Sequence, residues 1–253
     1  MFEVIHIPAF KDNYIWLLRQ GMHAVVVDPG DARPVLNLLG RQGWSLSGIL
    51  ITHHHADHQG GIASLKQRYP VQVYGPACEP IHGLDRPLRG GETVRIDPLG
   101  LSLQVIAVPG HTLGHLAYYG AGCLFCGDTL FGGGCGRLFE GSVEQMADSL
   151  TRLAALPADT AVYCAHEYTE ANLRFALAVE PGNRQLQHRV DEVAVTRAKG
   201  LPTIPSTMAI EKATNPFLRC TEPEVVASAR LHRPEAFDEV TVFAALREWK
   251  NHF

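Results

Sequence analysis

No apolar run in this chain of 253 residues approaches the roughly 18 residues that a membrane-spanning helix needs. A bilayer crossing is therefore not expected. Lys and Arg number 22 against 26 Asp and Glu, a formal charge of -4, and no stretch is rich in either cation. Without a cationic face to neutralise phosphates, nucleic acid is not an expected partner. Cysteine is sparse, six in all, and its scattered spacing offers no disulfide framework, which suits a reducing compartment. Glu3 places an acid at the very start and strand-like sequence follows at once, so no secretory leader is read there and a cytoplasmic location is expected. The pair Cys123-Leu124-Phe125-Cys126 lies in a strand-like segment, where positions three apart face opposite sides and cannot clasp one ion. The glycine-rich run 132–136, followed by Arg137, lacks the Gly-Lys-Ser/Thr ending of a phosphate-binding loop. It reads instead as flexible backbone kept slim for an approaching substrate.

Histidine, by contrast, is plentiful at 13 residues, and its densest cluster organises the chain. A β-branched and aliphatic run from Gly48 enters Thr52-His53-His54-His55-Ala56-Asp57-His58-Gln59-Gly60-Gly61, and a helical pattern follows over 62–69. The cluster is thus expected in a strand-to-helix loop. Imidazole nitrogens and a carboxylate at this density are metal-ligand chemistry. His53 and His55, two apart, lie on one side of an extended backbone and can share one ion. A turn at Asp57 and His58 can place that pair on a second ion.

The pattern His53-x-His55-x-Asp57-His58 resembles the signature of the metallo-β-lactamase superfamily. That resemblance implies an α/β fold, a four-layered αβ/βα sandwich with one or two metals at the strand ends. It does not select a reaction, because the superfamily contains hydrolases, nucleases and oxidoreductases.

Along the chain, strands are expected over 2–7, 14–18, 24–27 and 71–74, with a helix over 32–42. Asp28 ends the third strand and is either a turn residue or a carboxylate that fixes the tautomer of a ligand histidine. Residues 75–91 read as loop, with His82 structural or exposed. Strands over 92–96 and 101–108 lead to Pro109-Gly110-His111-Thr112-Leu113-Gly114-His115, where the superfamily pattern implies His111 as a ligand; His115 is expected to pack or hydrogen-bond nearby. A hairpin over 116–119 and 123–126 ends at Gly127-Asp128, which resembles the bridging-carboxylate motif. A helix over 143–156 and a buried strand over 160–164 then deliver His166 as the third protein donor of the second ion.

Beyond residue 168 the period changes from two to about 3.6. Helices are expected over 170–179, 184–199, 224–231 and 240–250, with a loop over 202–216. Ile204-Pro205-Ser206-Thr207, Glu211 and Asn215-Pro216-Phe217-Leu218-Arg219 resemble the C-terminal segment of the hydroxyacylglutathione hydrolases, glyoxalase II, and Arg247-x-x-Lys250 resembles their glutathione-binding pair. Three apart on a helix, both cations can meet one carboxylate. The resemblance implies a catalytic domain over 1–166 and a small helical glutathione-binding domain over 167–253. It implies that His53, His55 and His111 hold one metal, that Asp57, His58 and His166 hold the other, and that Asp128 bridges them; Asp57 and Asp128 are the carboxylates given catalytic weight. Arg137, Tyr168, Arg247 and Lys250 would contact glutathione. Where the family often carries Lys-x-Tyr, this chain has Arg137-Leu138-Phe139, keeping a cation and losing a phenol.

The implied reaction is hydrolysis of S-D-lactoylglutathione to D-lactate and glutathione by a metal-bridged hydroxide, in methylglyoxal detoxification. The cofactors would be two divalent ions, zinc first, with iron and manganese as alternatives because mixed His and carboxylate donors accept all three. A monomer with a small glutathione thioester as its partner is expected. The alternative is a persulfide dioxygenase, a mononuclear iron oxidoreductase of the same fold.

Overall fold

The computed structural model describes residues 2–253, and their contacts divide into two compact units. Unit one comprises residues 2–108 and Leu113–Gly127; unit two comprises Pro109–Thr112 and Asp128–Phe253.

Unit one opens with β1 (Glu3–Ala9), β2 (Asn13–Gln20) and β3 (His23–Val27), paired antiparallel. Then α1 (Ala32–Gln42) crosses to β4 (Ser45–Leu50), which pairs parallel to β3. The Asp31 side chain caps the first turn of α1, and Gly43, at φ 69°, ends it in the left-handed region, where a residue without Cβ is unstrained. A one-turn helix α2 (Ala56–Gln59) and α3 (Ile62–Arg68) lead to parallel β5 (Val73–Pro76) and β6 (Arg86–Leu88). The sheet order is β1-β2-β3-β4-β5-β6. One face packs Leu17, Val26, Ile49, Ile51 and Val73 with Val35 and Leu39 of α1 and Ile62 and Leu65 of α3. Leu18, Val25 and Leu50 point the other way and are also fully buried. A sheet covered on both faces explains why these strands are nearly continuous in apolar residues. The unit closes with an antiparallel meander, β7 (Thr93–Ile96), β8 (Leu101–Ala107), β9 (Leu116–Gly120) and β10 (Cys123–Gly127). A Cβ on Gly48 would lie 3.3 Å from Ile96 Cδ1, so β7 lies over β4.

Unit two begins with a tight hairpin, β11 (Leu130–Phe131) and β12 (Gly134–Cys135). It continues through α4 (Val143–Ala154), whose N-terminus carries a reciprocal Ser142/Gln145 cap, β13 (Ala161–Cys164), α5 (Thr169–Val179) and α6 (Arg184–Ala198). Strand β14 (Ser206–Thr207) pairs with β13 and runs into α7 (Met208–Thr214), followed by α8 (Pro223–His232) and α9 (Glu239–His252). Leu173, Ala176, Leu186 and Val193 knit α5 to α6. Phe175 stacks on Phe217 and meets Trp249 and Phe253 edge-on, tying α5 to the chain end.

Several expectations need correction. The metal-type cluster is not all loop: Asp57 and His58 sit on α2, so they leave the extended alternation that His53 and His55 begin. The segment 75–91 contains β6. The 202–216 loop contains β14 and α7, the latter capped by the Thr207 hydroxyl, a local signal outweighed by the surrounding Pro and Thr residues. The glycine run 132–136 is buried throughout rather than flexible, and its neighbours are the protein's own side chains. A Cβ at Gly132 would meet Thr169 Oγ1 at 2.4 Å, and one at Gly134 would meet Asn172 Nδ2 at 2.6 Å. These glycines are slim because α5 lies against them.

Candidate metal centre

The first donor set lies in unit one, where β4 ends. Ile49, Leu50 and Ile51 are fully buried, and the polar residues follow immediately. Asp28, from the end of β3, organises them while only 4% exposed. Its Oδ1 accepts the Thr52 N–H at 2.8 Å, and its Oδ2 accepts the Thr52 hydroxyl at 2.7 Å and His58 Nδ1–H at 3.0 Å. A carboxylate only accepts, so His58 carries its proton on Nδ1 and presents the Nε2 lone pair. The two readings of Asp28 resolve in favour of the tautomer-fixing carboxylate. Its φ of 51° is unusual for a residue with a side chain; Asp is among the few that adopt it at modest cost.

The same reasoning orients His53. Thr52 has one hydroxyl proton and gives it to Asp28, so the 3.0 Å contact between Thr52 Oγ1 and His53 Nδ1 requires Nδ1–H to donate. His53 Nε2 then presents its lone pair, 2.9 Å from His55 Nδ1. Asp57 Oδ2 accepts Asn13 Nδ2 at 2.9 Å and lies 3.6 Å from His58 Nε2. Backbone proximity sets this arrangement: a Cβ on Gly30 would fall 1.8 Å from the Asp57 carbonyl oxygen, so only glycine lets the two loops touch. His54 turns away, with its N–H and Nδ1 on Glu79 Oε2 at 2.7 and 3.0 Å. His115 is fully buried and stacks on His53, ring centroids 4.7 Å apart.

The second donor set lies in unit two. His111 Nδ1–H donates to the Arg137 carbonyl at 2.8 Å; a carbonyl cannot donate, so Nε2 again holds the lone pair. Asp128 divides its carboxylate. Oδ2 stands 3.4 Å from His111 Nε2, and Oδ1 stands 3.4 Å from His166 Nε2. The His111 Nε2 lone pair facing an anionic oxygen at that distance repels it unless a cation lies between. This donor set therefore fits divalent metal ions. His166 stacks on Tyr168 at 4.8 Å with ring planes 8° apart, and Phe131 meets His166 edge-on.

The four residues expected at glutathione are placed unequally. Arg137 is exposed on its side-chain side, while its carbonyl holds His111. Tyr168 is 37% exposed. Arg247 is buried, with Nη1 donating to the Cys135 carbonyl at 3.0 Å and the guanidinium 5.2 Å over the Phe217 ring. Lys250, half-buried, places Nζ 5.0 Å over Phe175. Burial first, then the nearby Arg247 charge, lowers its pKa to about 8. Arg174 also pushes on Lys250, a cation of this cluster that no motif pointed to. Phe139 is 60% exposed and meets the His111 ring at 5.2 Å.

The comparisons decide between families that share such donors. Residues 10–166 match the model of the metallo-beta-lactamase superfamily, and residues 167–253 match that of the hydroxyacylglutathione hydrolase C-terminus. The hydroxyacylglutathione hydrolase of Dechloromonas aromatica is 58% identical, with 100% of both chains covered. The chain belongs to the hydroxyacylglutathione hydrolase family. Its fold is the α/β metallo-β-lactamase sandwich, with a helical C-terminal region that matches the hydroxyacylglutathione hydrolase C-terminus. Among solved structures, ETHE1 from Myxococcus xanthus is 25% identical, with a TM-score of 0.66 over 99% of this chain and 98% of that one. TTHA1623, in a di-iron-bound form, is 30% identical with a TM-score of 0.54, covering 65% of this chain and 91% of that one. As in other members of the superfamily, histidine and aspartate side chains suited to divalent metal are present. No helix among the described residues is long and apolar enough to cross a membrane.

Proposed function

We propose that this member of the family hydrolyses S-2-hydroxyacylglutathione thioesters, S-D-lactoylglutathione among them, releasing the hydroxy acid and glutathione. The observation that carries this reading is the divided Asp128 carboxylate, one oxygen toward His111 and the other toward His166. A carboxylate so placed suits a pair of metals that shares it. His53, His55 and His111 would hold one ion and Asp57, His58 and His166 the other, in line with the di-iron form of one structural relative. Zinc, iron or manganese satisfies these donors; zinc is the assignment proposed, in a monomeric cytoplasmic enzyme built from residues 1–166 and 167–253.

When bound, two such ions lower the pKa of water from 15.7 toward about 7 and polarise a carbonyl. Every protein group then has a holding task. Asp28 keeps the proton of His58 on Nδ1, Thr52 does so for His53, and the Arg137 carbonyl does so for His111, so that each Nε2 is available as a donor. Asn13 fixes the rotamer of Asp57. The glutathione thiol has an ordinary pKa near ~8.5, so its thiolate departs without a dedicated acid. Lys250, Arg137 and Tyr168 receive the glutathione moiety, with Arg247 adding charge from behind while it grips the 135 carbonyl. The match of residues 167–253 to the hydroxyacylglutathione hydrolase C-terminus favours this reading over the alternative oxidoreductase.

The test is loss of thioester absorbance with S-D-lactoylglutathione, run beside metal analysis of the wild type and of Asp128→Ala. Turnover in the wild type, with lost metal and activity in the variant, supports the reading. Oxygen consumption with glutathione persulfide and no thioester hydrolysis would replace it.

A further inference from the structure

The glycine run 132–136 connects the two ends of the second donor set, since Asp128 precedes it and the Arg137 carbonyl that orients His111 follows it. Several polar backbone groups in and beside the run are held by side chains from the C-terminal region. Asn172 Nδ2 donates to the Gly132 carbonyl at 3.1 Å, and Asn215 Nδ2 donates to the Gly134 carbonyl at 2.9 Å and the Phe131 carbonyl at 3.3 Å. Arg247 takes the Cys135 carbonyl at 3.0 Å. The Gly133 N–H donates to Glu211 Oε2 at 2.9 Å.

Glu211 is the hub. It is fully buried on α7, and its carboxylate accepts from Gly133 N–H, Asn215 Nδ2, Arg189 Nη2 and the Ser206 hydroxyl. Four donors use the lone-pair capacity of an ionised carboxylate. The hub therefore has one arrangement, and it joins α6, α7, β14 and the loop. Packing leaves that loop little slack. A Cβ on Gly136 would lie 1.9 Å from the Asp128 carbonyl oxygen and 3.2 Å from His111 Nδ1. A displacement at Gly133 must therefore travel along the strand β12 to Arg137 rather than dissipate.

We propose that Glu211 is a positioning residue for the metal centre: together with Asn215 it sets the loop 131–137 so that the Arg137 carbonyl meets His111 Nδ1–H and the His111 Nε2 lone pair faces Asp128. The proposal rests on His111 and Asp128 being metal donors, as argued above. It gives the helical region a task at the metal end of the molecule beside glutathione binding.

The primary readout is taken on metal-free protein, from long-range proton–nitrogen correlations of the imidazoles, with His111 assigned by the signal lost in His111→Gln. The wild type shows the Nδ1–H tautomer. Glu211→Gln turns one acceptor into a donor, and Asn215→Ala removes the amide while leaving Arg189 and Glu211 paired, which guards against a first variant that fails to fold. Both are expected to move His111 toward a mixture of tautomers and to weaken divalent-metal binding by about tenfold, the lower end of what partners of metal ligands contribute. Glu180→Gln is the control, because Glu180 is also buried and pairs with Arg219 Nε and Nη2 at 2.8 and 2.7 Å, in the same unit. It should lower the melting temperature and leave both readouts unchanged. An unaltered His111 tautomer and metal affinity in both loop variants overturns the proposal, as does an equal shift in Glu180→Gln. Failure of the functional reading would show separately, as a metal-loaded wild type that does not cleave the thioester.

Discussion

Replacing Asp28 by Asn tests how far a residue outside the donor set governs metal binding. Asn tolerates a positive φ as Asp does, so the backbone at 51° is undisturbed and the change is confined to hydrogen bonding. The amide oxygen can still accept the Thr52 N–H now on Oδ1. The amide nitrogen then replaces Oδ2, where the Thr52 hydroxyl and His58 Nδ1–H both donate. Two donors cannot face a donor. His58 relieves the clash by moving its proton to Nε2, which removes the lone pair that a metal needs. Partners of metal-ligating histidines contribute about 10–100-fold in affinity, equivalent to about 1.4–2.8 kcal/mol. A separate loss of stability is expected in the metal-free protein, about 1.5–3 kcal/mol for a hydrogen bond to a charged group, read by urea denaturation. The assay is competition with a chromophoric chelator, wild type against variant, at fixed pH. Unchanged metal affinity alongside the expected fall in stability would refute the tautomer argument and leave Asp28 a purely structural residue.

Other substitutions follow from the same geometry. His55→Ala should lose metal by elemental analysis, while His54→Ala should retain it, since His54 is held by Glu79; equal losses would contradict the assignment. Gly136→Ala drives a Cβ into the Asp128 carbonyl and should destabilise by about 1–3 kcal/mol, with metal content falling in the protein that still folds. Lys250 has a folded pKa near 8, below its ordinary 10.5, because burial disfavours its charge. The unfolded chain therefore binds the extra proton between those values, and stability from this group rises with pH across that window and is lowest below it. Lys250→Met should remove that rise and raise the melting temperature at pH 7. It should also raise KM for the glutathione thioester about tenfold, as loss of a charge-assisted contact does, and abolish the wild type's own increase in KM above about pH 8.

The sequence by itself determined the donor types and where they fall. The apolar strands ending at Leu50 and Gly127 must be buried, and His53, His55 and Asp128 follow them directly, so periodicity and motif order were enough to place these residues at strand ends. The helix over Ala32–Gln42 was equally legible, and the structure bounds it with the Asp31 side-chain cap and the left-handed Gly43. Both signals are local, carried by neighbours in the chain.

Tertiary structure alone decided what depends on distant partners. Asp28 became the orienting carboxylate only when His58, thirty positions on, reached it. The glycine run reads as flexible in isolation, yet α5 fills the space its missing side chains leave, and Glu211 ties its backbone from 78 positions away. Arg247 and Lys250 share a helical spacing but not a setting, because one guanidinium finds the buried carbonyl of Cys135, 112 positions distant, and the ammonium does not. Residue type and spacing state what a side chain can do; burial and hydrogen-bond competition, which exist only in the folded chain, select which of those things it does.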